Sequence, residues 1–198
     1  MKHVKLIIQA AAVIISISCG TDDSATAGPS PLVNLTQQCD IYRGKTYSHG
    51  KFSFFLPDSF SLLPLKVFNE AKSSFLKTSS SEFSAEILSV WNDGKNNSLI
   101  VFSKNLYFDE KNDLQISHKI MQTYKNGIEG CAVFRDFHGN TNCTILQIAV
   151  ELKSIVLYKF IFYTPHDSYE LSFIIQKSDM IRQKSLIAGI VLSGIFQR

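Results

Sequence analysis

The stretch Ile155-Val156-Leu157-Tyr158-Lys159-Phe160-Ile161-Phe162-Tyr163 is apolar in both of its alternation classes. A strand shows successive side chains to opposite faces, so such a run is buried on both sides and needs cover on both sides. An up-and-down barrel would carry polar residues along one class. Around this run the sequence reads as an antiparallel meander, with strands over 131–137, 142–151, 154–164 and 168–176. His138-Gly139-Asn140, Leu152-Lys153-Ser154 and Pro165-His166-Asp167 are its short connections.

Upstream, Asn92-Asp93-Gly94-Lys95-Asn96-Asn97 lies between the apolar arms 85–92 and 98–105. Asp-Gly between apolar runs signals a hairpin. The first arm also admits a helix, because Ala85-Glu86-Ile87-Leu88 are good helix formers. The Phe-rich run 51–56 reads as a strand stopped by Pro57-Asp58. Leu65, Phe68, Ala71, Lys72, Phe75 and Leu76 recur at helical spacing and predict a helix over 65–77. A second helix is expected over 113–124, with Asp113 as N-cap, Ile116, Ile120, Met121 and Tyr124 on one stripe, and Gly127 as a stop. A third is expected from Asp179 to about Gly194, with Met180, Ile181, Leu186, Ile187, Ile190 and Val191 inside. The expected class is α+β: an antiparallel meander with helices packed on both faces.

The N-terminus carries a different signal. Lys2 and Lys5 precede an apolar run from Leu6 to Ile17, interrupted only by Gln9 and Ser16. The run is shorter than the ~20 residues that cross a bilayer. Small residues then lead to Cys19-Gly20, as signal cleavage requires. The expected organisation is a signal peptide over 1–18, a lipidated cysteine and flexible tether over 19–38, and one globular domain over 39–198. The segment 21–31 is small, polar and proline-punctuated, a composition that cannot offset its ordering entropy.

The formal charge is +3, from 20 basic and 17 acidic residues. Lys2 and Lys5 leave with the expected signal peptide, so the mature chain is near neutral and carries no footprint for nucleic acid. Three cysteines remain beyond Cys19: Cys39, Cys131 and Cys143. An odd number permits one bridge and one spare thiol. Cys131 and Cys143 flank the first hairpin of the meander. A two-residue loop at Gly139-Asn140 turns them to opposite faces, whereas a longer loop centred on Phe137 brings them opposite each other. A bridge between Cys131 and Cys143, or from Cys39 to either, therefore stays open.

Motifs that carry chemistry are sparse. His49, His118, His138 and His166 are not at metal-ligand spacing, and each reads as a surface histidine. Ser74-Phe75-Leu76-Lys77 matches Ser-x-x-Lys, but Phe75 and Leu76 fit helix packing. The 92–97 loop lacks the alternating acids of a calcium loop. Asn34, Asn96 and Asn142 head sequons that read as accidents of sequence. Trp91, Tyr107 and Tyr163 are possible groove aromatics that read more simply as core. No cofactor, metal site or catalytic residue is expected.

Ser16-Ile17-Ser18-Cys19 resembles a bacterial lipobox of the relaxed, spirochaetal type, with Ser16 where Leu is usual and Ser18 at the small position. The resemblance implies diacylglycerol on the Cys19 thiol and an envelope location, with the outer membrane favoured. Phe52-Ser53-Phe54-Phe55-Leu56-Pro57-Asp58-Ser59-Phe60 is similar to the early strand of PsbP/DcrB-type proteins, with Phe60 where that family has Trp. Leu192-Ser193-Gly194-Ile195-Phe196 is similar to its final Ser-Phe pattern with Gly-Ile inserted. That resemblance, over about 45–198, implies a PsbP-like fold, and its members are accessory and binding proteins that lend no catalytic residue. The expected function is a non-catalytic, lipid-anchored envelope protein that binds an unknown protein or other envelope partner. The alternative is a carrier of a small apolar ligand between sheet and helix.

Overall fold

The computed structural model describes residues 31–36, 44–64, 66–69, 85–96, 98–105, 113–127, 131–139, 143–164 and 166–197. The strands are β1 (Lys45–His49), β2 (Phe52–Leu56), β3 (Phe60–Leu62), β4 (Ala85–Asp93), β5 (Ser98–Asn105), β6 (Ala132–Gly139), β7 (Thr144–Glu151), β8 (Ile155–Tyr163), β9 (Ser168–Gln176) and β10 (Ile195–Phe196). Helix α1 (Asp113–Gly127) precedes β6, and α2 (Met180–Leu192) follows a 3-10 turn over Lys177–Asp179. Two antiparallel sheets result: a seven-stranded one in the order β3-β4-β5-β9-β8-β7-β6, and a three-stranded one in the order β1-β2-β10.

Strand β8 behaves as its composition requires. Val156, Tyr158, Phe160 and Phe162 point to one face of the large sheet and join a cluster with Ile145, Ala149, Leu171 and Phe173. The three-stranded sheet and α2 pack into that same cluster through Phe52, Phe54, Leu56, Ile187, Ile190 and Val191. The opposite class holds Ile155, Leu157, Lys159, Ile161 and Tyr163. Ile161 and Tyr163 pack with Leu146, Ile148, Val150 and Ile120 of α1. Ile155 and Ile174 pack with Val90, Leu99, Val101 and the helical residues Val67 and Phe68.

Phe52 joins the two sheets. Its ring lies 4.8 Å from that of Phe162, 5.2 Å from Tyr169 in a stacked arrangement and 5.2 Å from Phe196. Offset and tilted aromatic pairs of this kind add to the plain burial of area. Gly194 makes the approach possible, since a Cβ there would lie 2.6 Å from Phe162 Cε1 and 3.1 Å from Phe52 Cζ. Next to it, Ser193 Oγ accepts a hydrogen bond from Phe55 N–H at 2.9 Å and donates to Ile190 O at 2.6 Å, fastening the end of α2 to β2.

Several expectations change. The single strand over 51–56 is half of a hairpin: β1 pairs with β2 through a two-residue turn in which Gly50 takes φ 56°, a region that favours glycine. The residues after α2 add a strand to the same sheet, with Gln197 N–H donating to Lys51 O at 2.7 Å. The expected hairpin of β4 and β5 does form, and its first arm, 85–92, takes the strand reading over the helical alternative. Asp93 is fully buried in its turn, accepting from Lys95 N–H at 3.0 Å and Asn96 Nδ2 at 2.5 Å. Ile181, expected inside, is 70 % exposed. The inward stripe of α2 runs through Met180, Gln183, Ile187 and Ile190, and position 181 lies one residue, about 100°, off it. Of the helix expected over 65–77, residues 66–69 are helical and the remainder lies outside the described residues.

Residues 31–36, expected in the tether, lie on the domain. Val33 and Leu35 are buried in the main cluster. Gln147, fully buried on β7, holds this strap: in the amide orientation that satisfies both groups it donates to Val33 O at 3.0 Å and accepts from Val33 N–H at 2.7 Å. The Cys131–Cys143 bridge is not formed. Gly139 pairs with Thr144, which places the cysteines at opposite ends of the β6–β7 hairpin. Eight residue pairs lie between them, a span of roughly 30 Å against the ~6 Å between Cα atoms that a bridge needs. Cys143 packs against the main cluster and Cys131 against the cluster beneath α1. Cys39 lies outside the described residues.

Three outcomes follow from this packing. Gly194→Ala should lower unfolding stability by about 1–3 kcal/mol through overpacking at the aromatic joint, read as a lower urea midpoint with an unchanged slope. Gln147→Leu should leave the fold intact and release the strap, read as faster hydrogen exchange at the Val33 amide and early proteolytic loss of residues before 44. Burial pushes the Cys143 thiol up to about 11. Because the thiolate is the nucleophile, alkylation of Cys143 at pH 8 should run about a hundredfold slower than that of a free cysteine and rise about tenfold per pH unit up to that value, scored by peptide mass mapping.

Candidate functional site

A cavity of about 200 Å³ lies between the edge of the small sheet and the β3–β4–β5 end of the large one. Tyr47, Ser48 and His49 of β1 form one wall. Leu62 of β3, Leu88, Ser89 and Trp91 of β4, and Phe102 of β5 form the rest. Among the described residues both flanking strands are edges, since β1 pairs only with β2 and β3 only with β4. A bulge in β4 shapes the wall. Ile87 pairs with Ser103 and Ser89 with Phe102, so Leu88 is the extra residue between them. A bulge re-aims a side chain, and here consecutive residues, Leu88 and Ser89, both line the cavity.

The cavity is aromatic inside and polar at the mouth. Tyr47 meets Trp91 edge-on at 4.9 Å, and Trp91 meets Phe54 edge-on at 5.7 Å. His49 approaches Phe102 at 6.5 Å and Tyr169 at 6.2 Å. Ser48 and His49 are exposed, and Leu62 is 59 % exposed. Trp91 is only 1 % exposed, yet its Nε1–H has no acceptor. A buried donor without a partner costs about 1–3 kcal/mol.

On the other face of the large sheet, a polar seam runs between the two apolar clusters. Lys159 Nζ lies 2.5 Å from Glu170 Oε1, and Ser172 Oγ donates to the same oxygen at 2.5 Å. Ser103 pairs with Glu170 across the ladder and is buried. Glu170 Oε2 and Ser168 Oγ are buried without a hydrogen-bond partner. Nearby, Arg135 Nη1 donates to Ser117 Oγ at 2.8 Å, tying β6 to α1. The seam neutralises its own charge and ties Lys159 and Ser172 to Glu170 Oε1 by short bonds within the sheet.

The histidines are dispersed. His49 is at the cavity mouth, a position the sequence reading missed. His118 is on α1, 2.9 Å from Gln122. His138 is 3.3 Å from Asp136 on β6, and His166 is exposed in the β8–β9 connection. Trp91 and Tyr163 are core residues, as expected, but belong to opposite faces of the sheet. Tyr107, Ser74 and Cys19 lie outside the described residues. Among the described residues, no group of His, Cys, Asp and Glu could hold a metal ion. No described helix is long and apolar enough to cross a membrane. Asn34 accepts from Thr36 N–H at 2.9 Å and Thr36 Oγ1 at 2.7 Å in a local turn. The signal for β1 was the Gly50-Lys51 pair between Tyr47 and Phe52, which is turn chemistry. The bulge at Leu88 left no mark in the sequence.

No family model matches the chain, and no curated protein matches it in sequence. Among solved structures, the chain is similar to cyanobacterial PsbP (CyanoP) from Synechocystis sp. PCC 6803. The TM-score is 0.51 at 12 % identity, over 77 % of this chain and 91 % of that one. At that identity the likeness concerns the fold alone: the globular part is PsbP-like, built mostly of antiparallel sheet with a few helices.

Proposed function

We propose that this chain is a lipid-anchored envelope lipoprotein of the outer membrane, with a PsbP-like domain whose main sheet has helices on both faces. Its role is non-catalytic: it binds another macromolecule of the envelope as an accessory protein. The observation that carries this reading is Cys19, set between a short apolar segment with a basic N-terminal flank and a small polar stretch. Acyl chains contribute about 0.8 kcal/mol per buried methylene, so several chains on one sulfur hold an otherwise water-soluble domain firmly. Because the strap is already seated on the domain by Val33, the leash is residues 20–30. Fully extended, it spans at most about 40 Å. The domain then works close to the headgroups rather than far from them.

A second reading, a carrier of a small apolar ligand, is favoured by the aromatic cavity beside β1. That cavity lies between two sheets, not between sheet and helix as the sequence suggested.

Labelling with radioactive palmitate tests the anchor. Wild type should incorporate label and stay with membranes after a salt wash, whereas Cys19→Ala should incorporate none and appear in the soluble fraction. Equal labelling of both, or loss of both to the soluble fraction, overturns the reading.

A further inference from the structure

We infer that the surface beneath the strap is a docking groove for one extended, uncharged segment of a partner protein with apolar residues at alternate positions. Residues 31–36 occupy it in cis as a built-in competitor. The inference rests on the binding role proposed above and gives that role a partner class.

The strap itself shows what the groove takes. Pro31, Val33 and Leu35 are buried while Asn34 and Thr36 are exposed, the alternation of an extended chain lying on an apolar floor. The strap lies on the main cluster yet joins neither sheet, so its departure breaks no ladder.

Gln147 is the clamp. Its neighbours on that face are Ile145, Ala149 and Phe160, so an aliphatic residue at 147 would pack there without the cost of burying an amide. The amide is instead matched to main chain: it donates to Val33 O at 3.0 Å and accepts from Val33 N–H at 2.7 Å. Every residue except proline carries that donor and acceptor. The clamp therefore holds the backbone of any extended segment, and the floor selects apolar side chains at alternate positions.

Competition decides the occupant. Chain continuity with β1 keeps the strap at an effective concentration of the order of millimolar. A second copy's strap makes the same contacts without that advantage and loses to it. A partner segment is free to be longer than the strap, and so to displace it.

The probe is the peptide acetyl-Pro-Ser-Val-Thr-Leu-Thr-Val-Lys-amide, which shares the alternation of the strap but not its sequence. The protein is the chain with Cys19→Ala, so the outcome does not depend on the anchor, which palmitate labelling tests separately. Saturable binding should come with faster hydrogen exchange at the Val33 amide, which reports the strap leaving. Val33→Asp, which sets a carboxylate against the apolar floor, should unseat the strap and tighten peptide binding at least tenfold. N-methylvaline in place of the peptide's first valine removes the N–H that Gln147 accepts, and leaves a buried acceptor unpaired. It should weaken binding at least tenfold, and make no difference once Gln147→Leu is added. Should Val33→Asp fail to fold, the exchange measurement and the N-methyl comparison on the unsubstituted strap decide alone. A peptide that does not bind, that binds without changing Val33 exchange, or that binds equally well with N-methylvaline overturns the proposal. Concentration-dependent dimers that Val33→Asp abolishes assign the groove to a second copy, and overturn the choice of partner.

Discussion

The structure depends on the contact between Phe52 and the rings around it. Two sheets of unequal size have to share one core, and only a small patch of each is available for the joint. Phe52 is fully buried where Phe162, Tyr169, Phe102 and Phe196 converge. Its strand carries the hairpin partner on one side and the chain's last strand on the other. The C-terminus therefore returns to the beginning of the domain, and the glycine at 194 is what lets it come so near. Backbone bonds from Gln197 to Lys51 and from Phe55 to Ser193 complete the closure.

The large sheet combines two kinds of interior. One face is aromatic and aliphatic at its centre except for Gln147, which explains why the small sheet, the last helix and the strap can all lie on it. The other is split by the Lys159–Glu170 seam into two smaller apolar fields. An ion pair in such a place contributes little net stability, because desolvation offsets attraction. It does impose register: a one-residue slip of β8 against β9 would send Lys159 into the aromatic face and leave Glu170 buried alone. The seam therefore serves specificity of pairing in a sheet whose interior is largely hydrophobic.

The meander, both major helices after residue 110 and the hairpin at Asp93-Gly94 were legible because each is a local pattern: alternation, a 3.6-residue stripe, or turn chemistry. The two-sided burial of β8 was legible for the same reason, since nine consecutive residues state it. The small sheet was not. β1 shows polar residues outward on both sides of Tyr47, and the contacts that seat its partner β2, in β10 and β8, are more than a hundred residues away. The strap at 31–36 was hidden too, because Val33 and Leu35 are apolar positions in a polar, proline-containing segment, and their place is set by one glutamine on β7. The cavity could not be read at all: it exists where edges of two sheets meet around a bulge, and no periodicity records that meeting.

The grip of Gln147 on Val33 has a mechanical side. Tension applied to the chain ahead of Pro31 falls first on two hydrogen bonds to one side chain, not on a ladder loaded in parallel. Besides those two bonds the burial of Val33 and Leu35 resists the pull, so the strap should yield at lower force than the ladders of either sheet.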